Sequence, residues 1–371
     1  MWRVAMRVVN RNGVVRSLLM AWVTVQSLGG TGCATLWDGY GQDNPQSCEV
    51  NPSICSASQR CNLDTHLCED LDAGTTDASS APDLTTEVPV GTDWQVVPSG
   101  TSADLFSVWG APAGDAWIVG VSGTILKWDT SSSVWRTVQS PTTLSLYDVW
   151  GPERQTVFAV GSGGTLLRYN GSDWKLQSTP QATSLLSIWG VDDSHIWAVG
   201  IGGHVITKNS GSSWQIETSQ TSERLYGVWG NSESNMWSVG SNLIAIRNSG
   251  AGWYVESGGS ATSLTTYGVW GIDKQQIWSV GEQGSIRMWN GSSWMQMSSG
   301  IDSTIALRDV YGIGPKNIWA VGEKGTIVYY NGTSWARQET GTKKNLYGIF
   351  RSGGNTLWAV GEGGTILRRT M

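Results

Sequence analysis

Three glutamates, Glu282, Glu323 and Glu362, recur 41 and 39 residues apart, each directly after a Val-Gly pair. Two carboxylates flanking one bond can act as general acid and base in glycoside hydrolysis, provided their environments drive their proton affinities apart. A repeat that delivers each to an equivalent surface turn leaves all three solvated and unshifted, which argues against that role. The histidines are His66, His195 and His204, and none belongs to a metal-ligand motif. The chain holds no Gly-x-Ser-x-Gly elbow, no P-loop and no His-Glu-x-x-His. The reading is therefore a non-enzyme, with no catalytic residue, no metal and no cofactor.

The spacing of these glutamates belongs to a pattern that fills the chain from Asp93 onward. An apolar run closes on an aromatic at Trp109, Trp150, Trp189, Trp229, Trp270, Tyr311 and Phe350. A second slot holds Trp117, Phe158, Trp197, Trp237, Trp278, Trp319 and Trp358, and a third Trp94, Trp135, Trp174, Trp214, Trp253, Trp294 and Trp335. A period near 40 with four short, Gly-punctuated, alternating segments predicts an all-β fold, a seven-bladed β-propeller of four-stranded antiparallel blades. In the first unit the strands are Leu105–Trp109, Ala116–Val119, Thr124–Trp128 and one begun by Trp135.

The phase of the array is informative. It opens on a lone outer-strand segment at Trp94 and stops after a seventh third strand, so the first segment is expected to complete the last blade and close the ring without a free edge. Phe158 and Phe350 stand in tryptophan slots, so these slots need a large ring to fill the wedge between blades. The glycines at 120, 161, 200, 240, 281, 322 and 361 mark tight turns that need either positive φ or close backbone approach. Asn170, Asn290 and Asn331 begin sequons, read here as turn residues. The inner-strand slot two before each aromatic, held by Ser107, Asp148, Ser187, Gly227, Gly268, Asp309 and Gly348, reads as a crowded channel that admits nothing larger.

The Ala-Val-Gly, Gly-Thr-Ile-Leu and Asn-Gly-Ser-Ser-Trp294 segments resemble the BNR/Asp-box propellers, which include sialidases and the photosystem II assembly and stability factor type. The resemblance covers 93–371 and implies the architecture. A sialidase-like site would need three converging arginines, and Arg224 and Arg308 supply no such triplet in inner-strand register. What the resemblance leaves is binding, with function on loops. The leading expectation is a monomeric binding scaffold that docks a protein partner through Ser99–Asp104, Ser140–Ser145 and Gly341–Asn345 and their equivalents. Candidate contacts are Ser122, Ser162, Asn242, Glu282, Glu323, Glu362, Arg224 and Arg308. The alternative is a lectin that binds a surface glycan, since tectonin-type lectin propellers share the tryptophan-rich look, and a glycosidase ranks behind both.

The composition fits this picture. Among 371 residues, 48 Gly and 23 Trp with only 10 Pro exclude collagen and generic disorder. The formal charge is −6, and removal of residues 1–32, with four arginines and no acid, leaves −10. An acidic chain is no nucleic-acid binder.

Residues 1–32 read as an export signal: a basic start, then an uncharged, mostly apolar run too short to span a bilayer. Leu28–Cys33 resembles a bacterial lipobox, with Gly30 where the family has Leu, Val or Ile, and this implies lipidation at Cys33 and a cell-envelope location. Ordinary cleavage after Ala34 is the alternative. Residues 33–47 are then a tether.

Cys48, Cys55, Cys61 and Cys68 lie within 48–68, with spacings longer than zinc pairs use, and an exported chain favours disulfides. The segment resembles small EGF-like modules, which implies Cys48–Cys61 and Cys55–Cys68, although four cysteines allow three pairings. Residues 69–92 hold no aromatic residue and read as a disordered acidic linker.

Overall fold

A computed structural model describes residues 59–62, 67–70 and 94–371, apart from 113, 210, 212, 258–262 and 354. The chain divides into two units, Met1–Thr86 and Glu87–Met371. In the first unit, Gln59–Asn62 and Leu67–Asp70 form an antiparallel hairpin in which Cys61 and Cys68 are register partners. The export signal, Cys33, the tether, Cys48, Cys55 and the linker lie outside the described residues.

The second unit contains seven four-stranded antiparallel sheets. The first sheet runs Leu105–Gly110, Ala116–Gly120, Ile125–Asp129 and Val134–Thr137, within a residue or so of the expected strands. The first and second slots face each other across every blade's two inner strands, as in Trp109 opposite Trp117 and Tyr311 opposite Trp319. Alternation explains the layering: second strands are buried on both faces, whereas outer strands such as Trp335–Gln338 bury mainly their tryptophan.

The ring closes as expected. Gln95 and Val96 pair with Arg368 and Leu367, so the segment after Trp94 is the outer strand of the seventh blade. The aromatic slots pack between blades. Trp117 of blade one lies 5.2 Å, centroid to centroid, from the outer Trp174 of blade two, and Trp358 of blade seven lies 5.0 Å from Trp135 of blade one. Phe158 meets Trp214 in the same edge-on manner at 6.4 Å, so a phenyl ring suffices in that slot.

Of the two explanations for the turn glycines, close approach holds. Gly120 is extended, with φ −163°, and an added Cβ would overlap the carbonyl oxygen of Asp104, just before the adjoining first strand. The left-handed positions fall later in the turn, at Ser122 and Gly123. The asparagine turns behave as expected: the Asn170 side-chain oxygen accepts the amides of Ser172 and Asp173 at 3.0 Å, and Gly171 supplies the positive φ.

Candidate functional site

The seven first strands line a central channel that contains a cavity of about 360 Å³. The slot two before each aromatic is nonetheless crowded, as expected. The small residues two before each aromatic are demanded by neighbouring strands, and the interior stays open. At Gly227, Gly268 and Gly348 a Cβ would meet the backbone of the next blade at 2.6–2.9 Å. Elsewhere the slot's side chain bonds to the next blade. Ser107 Oγ donates to Asp148 Oδ1 at 2.7 Å, and Asp148 Oδ2 accepts the Ile188 amide at 2.9 Å and Ser187 Oγ at 2.8 Å. Ser187 Oγ accepts the Val228 amide at 3.2 Å, and Asp309 Oδ2 the Ile349 amide at 2.9 Å. Every blade junction is thus met at this level by a polar bond or a close backbone approach.

Asp148 and Asp309 lie deep in the ring and border the cavity. Burial raises the Asp148 carboxyl above its ordinary range, against the two serine hydroxyls and two amides that bond it. Burial likewise pushes Asp309 up to about 7, opposed by the Ile349 and Val310 amides and reinforced by the Asp148 charge.

One residue before this slot, the first strands carry Phe106, Tyr147, Leu186, Tyr226, Tyr267, Arg308 and Tyr347, all half-buried and all lining the cavity. They form a collar at the end of the channel where the second-to-third-strand turns lie. Phe106 contacts Tyr147 at 5.6 Å and Tyr347 at 5.7 Å, and Tyr226 meets Tyr267 edge-on at 5.1 Å. Apart from Arg308, sequence reasoning passed over these positions. The collar's signal was available, because these residues recur in the same 40-residue register three positions earlier.

Most of the candidate residues gather around this collar. Ser162 Oγ donates to the Tyr147 hydroxyl at 2.8 Å, and Arg224 Nη1 to the Tyr226 hydroxyl at 3.1 Å. Glu282 accepts the Tyr267 hydroxyl at 3.1 Å and the Thr265 amide at 2.8 Å. Arg308 pairs with Glu323 at 2.5 Å, its guanidinium 4.3 Å from the Tyr267 ring centroid. Glu362 binds Lys344 Nζ at 3.3 Å and the Asn345 amide at 3.2 Å. Ser122 and Asn242 occupy the equivalent turns of blades one and four at positive φ; Asn242 bonds Glu223, and Ser122 is exposed.

The glutamates are therefore not uniformly solvated and unshifted. Burial pushes Glu323 up, but Arg308 and the Ala306 amide more than offset it and hold the carboxyl below its usual range. The Asn345 amide, then Lys344, lowers Glu362. Each of the three carboxylates accepts the amide just before its own blade's first strand.

The loop hydroxyls are also committed to structure. Ser99 Oγ donates to the Thr101 carbonyl at 3.0 Å, and Ser140 and Ser219 make the same bond to Thr142 and Thr221. Ser99, Ser219 and Thr340 are buried. Sequence reasoning had offered these loops as variable contact surface, whereas several of their hydroxyls hold the loops' own shape.

His204 is partly buried, which lowers its basicity. His195 Nδ1 lies 2.9 Å from Asp192. Among the described residues, no three His, Cys, Asp or Glu side chains are grouped to hold a metal ion.

Residues 94–371 hold 19 Lys/Arg and 19 Asp/Glu, so the acidic surplus of the chain lies before residue 94 and the ring is neutral. Of the charged residues that line the cavity, two are acidic, Asp148 and Asp309, and one is basic, Arg308, already paired with Glu323.

No family model matches the sequence, and no curated protein matches it. Solved structures do match in fold. YCF48 bound to a D1 peptide aligns with a TM-score of 0.64 at 16% identity, covering 76% of this chain and 96% of that one. YCF48 from Cyanidioschyzon merolae gives 0.61 at 18%, covering 75% and 99%. Virginiamycin B lyase from Staphylococcus aureus gives 0.66 at 13%, also covering 75% and 99%. At these identities the likeness is one of fold, and it extends to a peptide binder and to an enzyme: this chain is similar to both as a seven-bladed β-propeller.

Proposed function

We propose that this protein is a non-enzymatic binding scaffold that docks an extended segment of a partner protein over the channel mouth. The observation that carries the reading is the collar, a ring of seven half-buried side chains, five of them aromatic, around an open cavity and rimmed by ion pairs. Aromatic anchors surrounded by paired polar groups are the usual composition of a protein-binding hot spot. YCF48, of like fold, has been solved with a peptide bound. The rim carboxylates of Glu323 and Glu362 are held low, the wrong direction for a general acid.

The rest of the proposal concerns the N-terminal region. Residues 1–32 direct export, Cys33 carries a lipid, the four cysteines of 48–68 form two disulfides, and the acidic linker holds a monomeric propeller away from the membrane. Crosslinking pull-down of the full chain from its native cell envelope tests the docking reading. A protein partner captured by the wild type and lost on Phe106→Ala with Tyr226→Ala is the expected result. Capture unaffected by the collar substitutions, or glycan-array binding with no protein captured, overturns it in favour of another face or of the lectin reading.

A further inference from the structure

We infer that the central cavity receives one positively charged side chain, a lysine or arginine, from the segment docked over the collar; this rests on the docking reading above. Three independent features converge. The cavity is small, about 360 Å³, near the lower end of ligand pockets, which suits a side chain better than an oligosaccharide. Its collar rings already hold cations of this chain: the Arg308 guanidinium lies 4.3 Å from the Tyr267 centroid and that of Arg224 5.7 Å from the Tyr226 centroid. Its charged lining is two carboxylates against one guanidinium that Glu323 already neutralises.

The two carboxylates differ in what they can offer. Asp148 is occupied on both oxygens, by the Ser107 and Val149 donors on one and the Ser187 and Ile188 donors on the other. Asp309 accepts one amide on each oxygen, from Val310 and Ile349, and so retains lone-pair capacity on both. Asp309 is the anchor, and Asp148 is the structural tie that adds negative potential. A cation on Asp309 would also offset the repulsion that the Asp148 charge exerts on it.

The test uses the full chain and three probes: N-acetyl-lysine methylamide, its uncharged isostere N-acetyl-norleucine methylamide, and cadaverine. Saturation-transfer NMR should show the lysine probe bound through its side-chain methylenes, the norleucine probe at least tenfold weaker, and Asp309→Asn at least tenfold weaker for lysine. Tyr267→Leu, which leaves Asp309 and its amide donors in place, should weaken lysine several-fold, and a retained cooperative thermal transition with a native-like circular dichroism spectrum establishes that both variants fold.

Equal binding of lysine and norleucine, or lysine binding indifferent to both substitutions, overturns the inference. Cadaverine bound as tightly as the lysine probe overturns the side-chain assignment in favour of a free amine. Failure here and failure of the docking reading are distinguishable. A partner still captured by Asp309→Asn with unchanged affinity leaves the docking face standing without its cationic anchor. Lysine binding with no collar-dependent partner leaves the pocket without the docking face.

Discussion

The amide of Ile349 in the seventh blade donates to Asp309 Oδ2 in the sixth at 2.9 Å, so the carboxylate that borders the cavity also joins two blades. One blade junction and part of the cavity's charge thus share one side chain.

Asp309 gives stability a pH dependence of definite sign. Its folded-state value, about 7, lies above the ordinary carboxylate value near 4, so the fold binds a proton that the unfolded chain releases. Stability from this group is present at low pH and declines as pH rises through roughly 4 to 7. Urea midpoints at pH 5 and pH 8 should therefore fall further for the wild type than for Asp309→Asn, by up to a few kcal/mol in free energy. Equal falls would show that the burial of this carboxyl is not felt.

Asp148→Ala removes the acceptor of two hydroxyls and two amides at the junctions of blades one, two and three. With each orphaned buried group costing about 1–3 kcal/mol, a loss of at least about 3 kcal/mol is expected in guanidinium denaturation. Asp148→Asn keeps one acceptor oxygen and should lose less.

The second aromatic slot should tolerate size but not absence. Trp117 is fully buried against Tyr169 and Trp174, and blade two uses Phe158 in the equivalent place. Trp117→Ala is expected to cost about 3–5 kcal/mol and Trp117→Phe clearly less. Thermal unfolding of the two variants decides between a packing role and a requirement for indole itself.

Closure can be tested at Trp94, which is 5% exposed and donates from Nε1 to Gln338 Oε1 at 3.0 Å. Trp94→Ala should destabilise as Trp335→Ala does, by about 3–5 kcal/mol. A frayed terminal segment would show a change within about 0.5 kcal/mol.

At the rim, Arg308→Ala removes the guanidinium that holds Glu323 below its usual range. The Glu323 carboxyl should then titrate at higher pH, seen by carbon-13 NMR of its side chain. An unmoved titration would assign the lowering to the Ala306 amide and Lys324 instead.

Architecture was legible because propeller packing repeats. Trp109 and its six equivalents mark first strands, Trp117 and its equivalents second strands, and the unpaired Trp94 announced how the ring closes. Less legible was the site. Glu282, Glu323 and Glu362 stood out as regular and acidic, yet each turned out to be a cap for the amide just before its blade's first strand. The collar passed unnoticed because Phe106, Tyr147 and Tyr267 read, in sequence, as ordinary apolar strand positions beside conspicuous tryptophans.

The sequence by itself determined the number of blades, their strands and the closure, since these follow from periods of about 40 and of two, which are local and repeat seven times. Only the tertiary structure decided what the channel is. Ser107, Asp148 and Gly227 occupy one slot in the repeat, but whether a small residue there fills space, ties a neighbouring strand or borders a void depends on strands some 40 residues away. The same holds for charge. Asp309 is pushed up to about 7 because burial and the charge of Asp148, which the ring brings to the same cavity, act on it together.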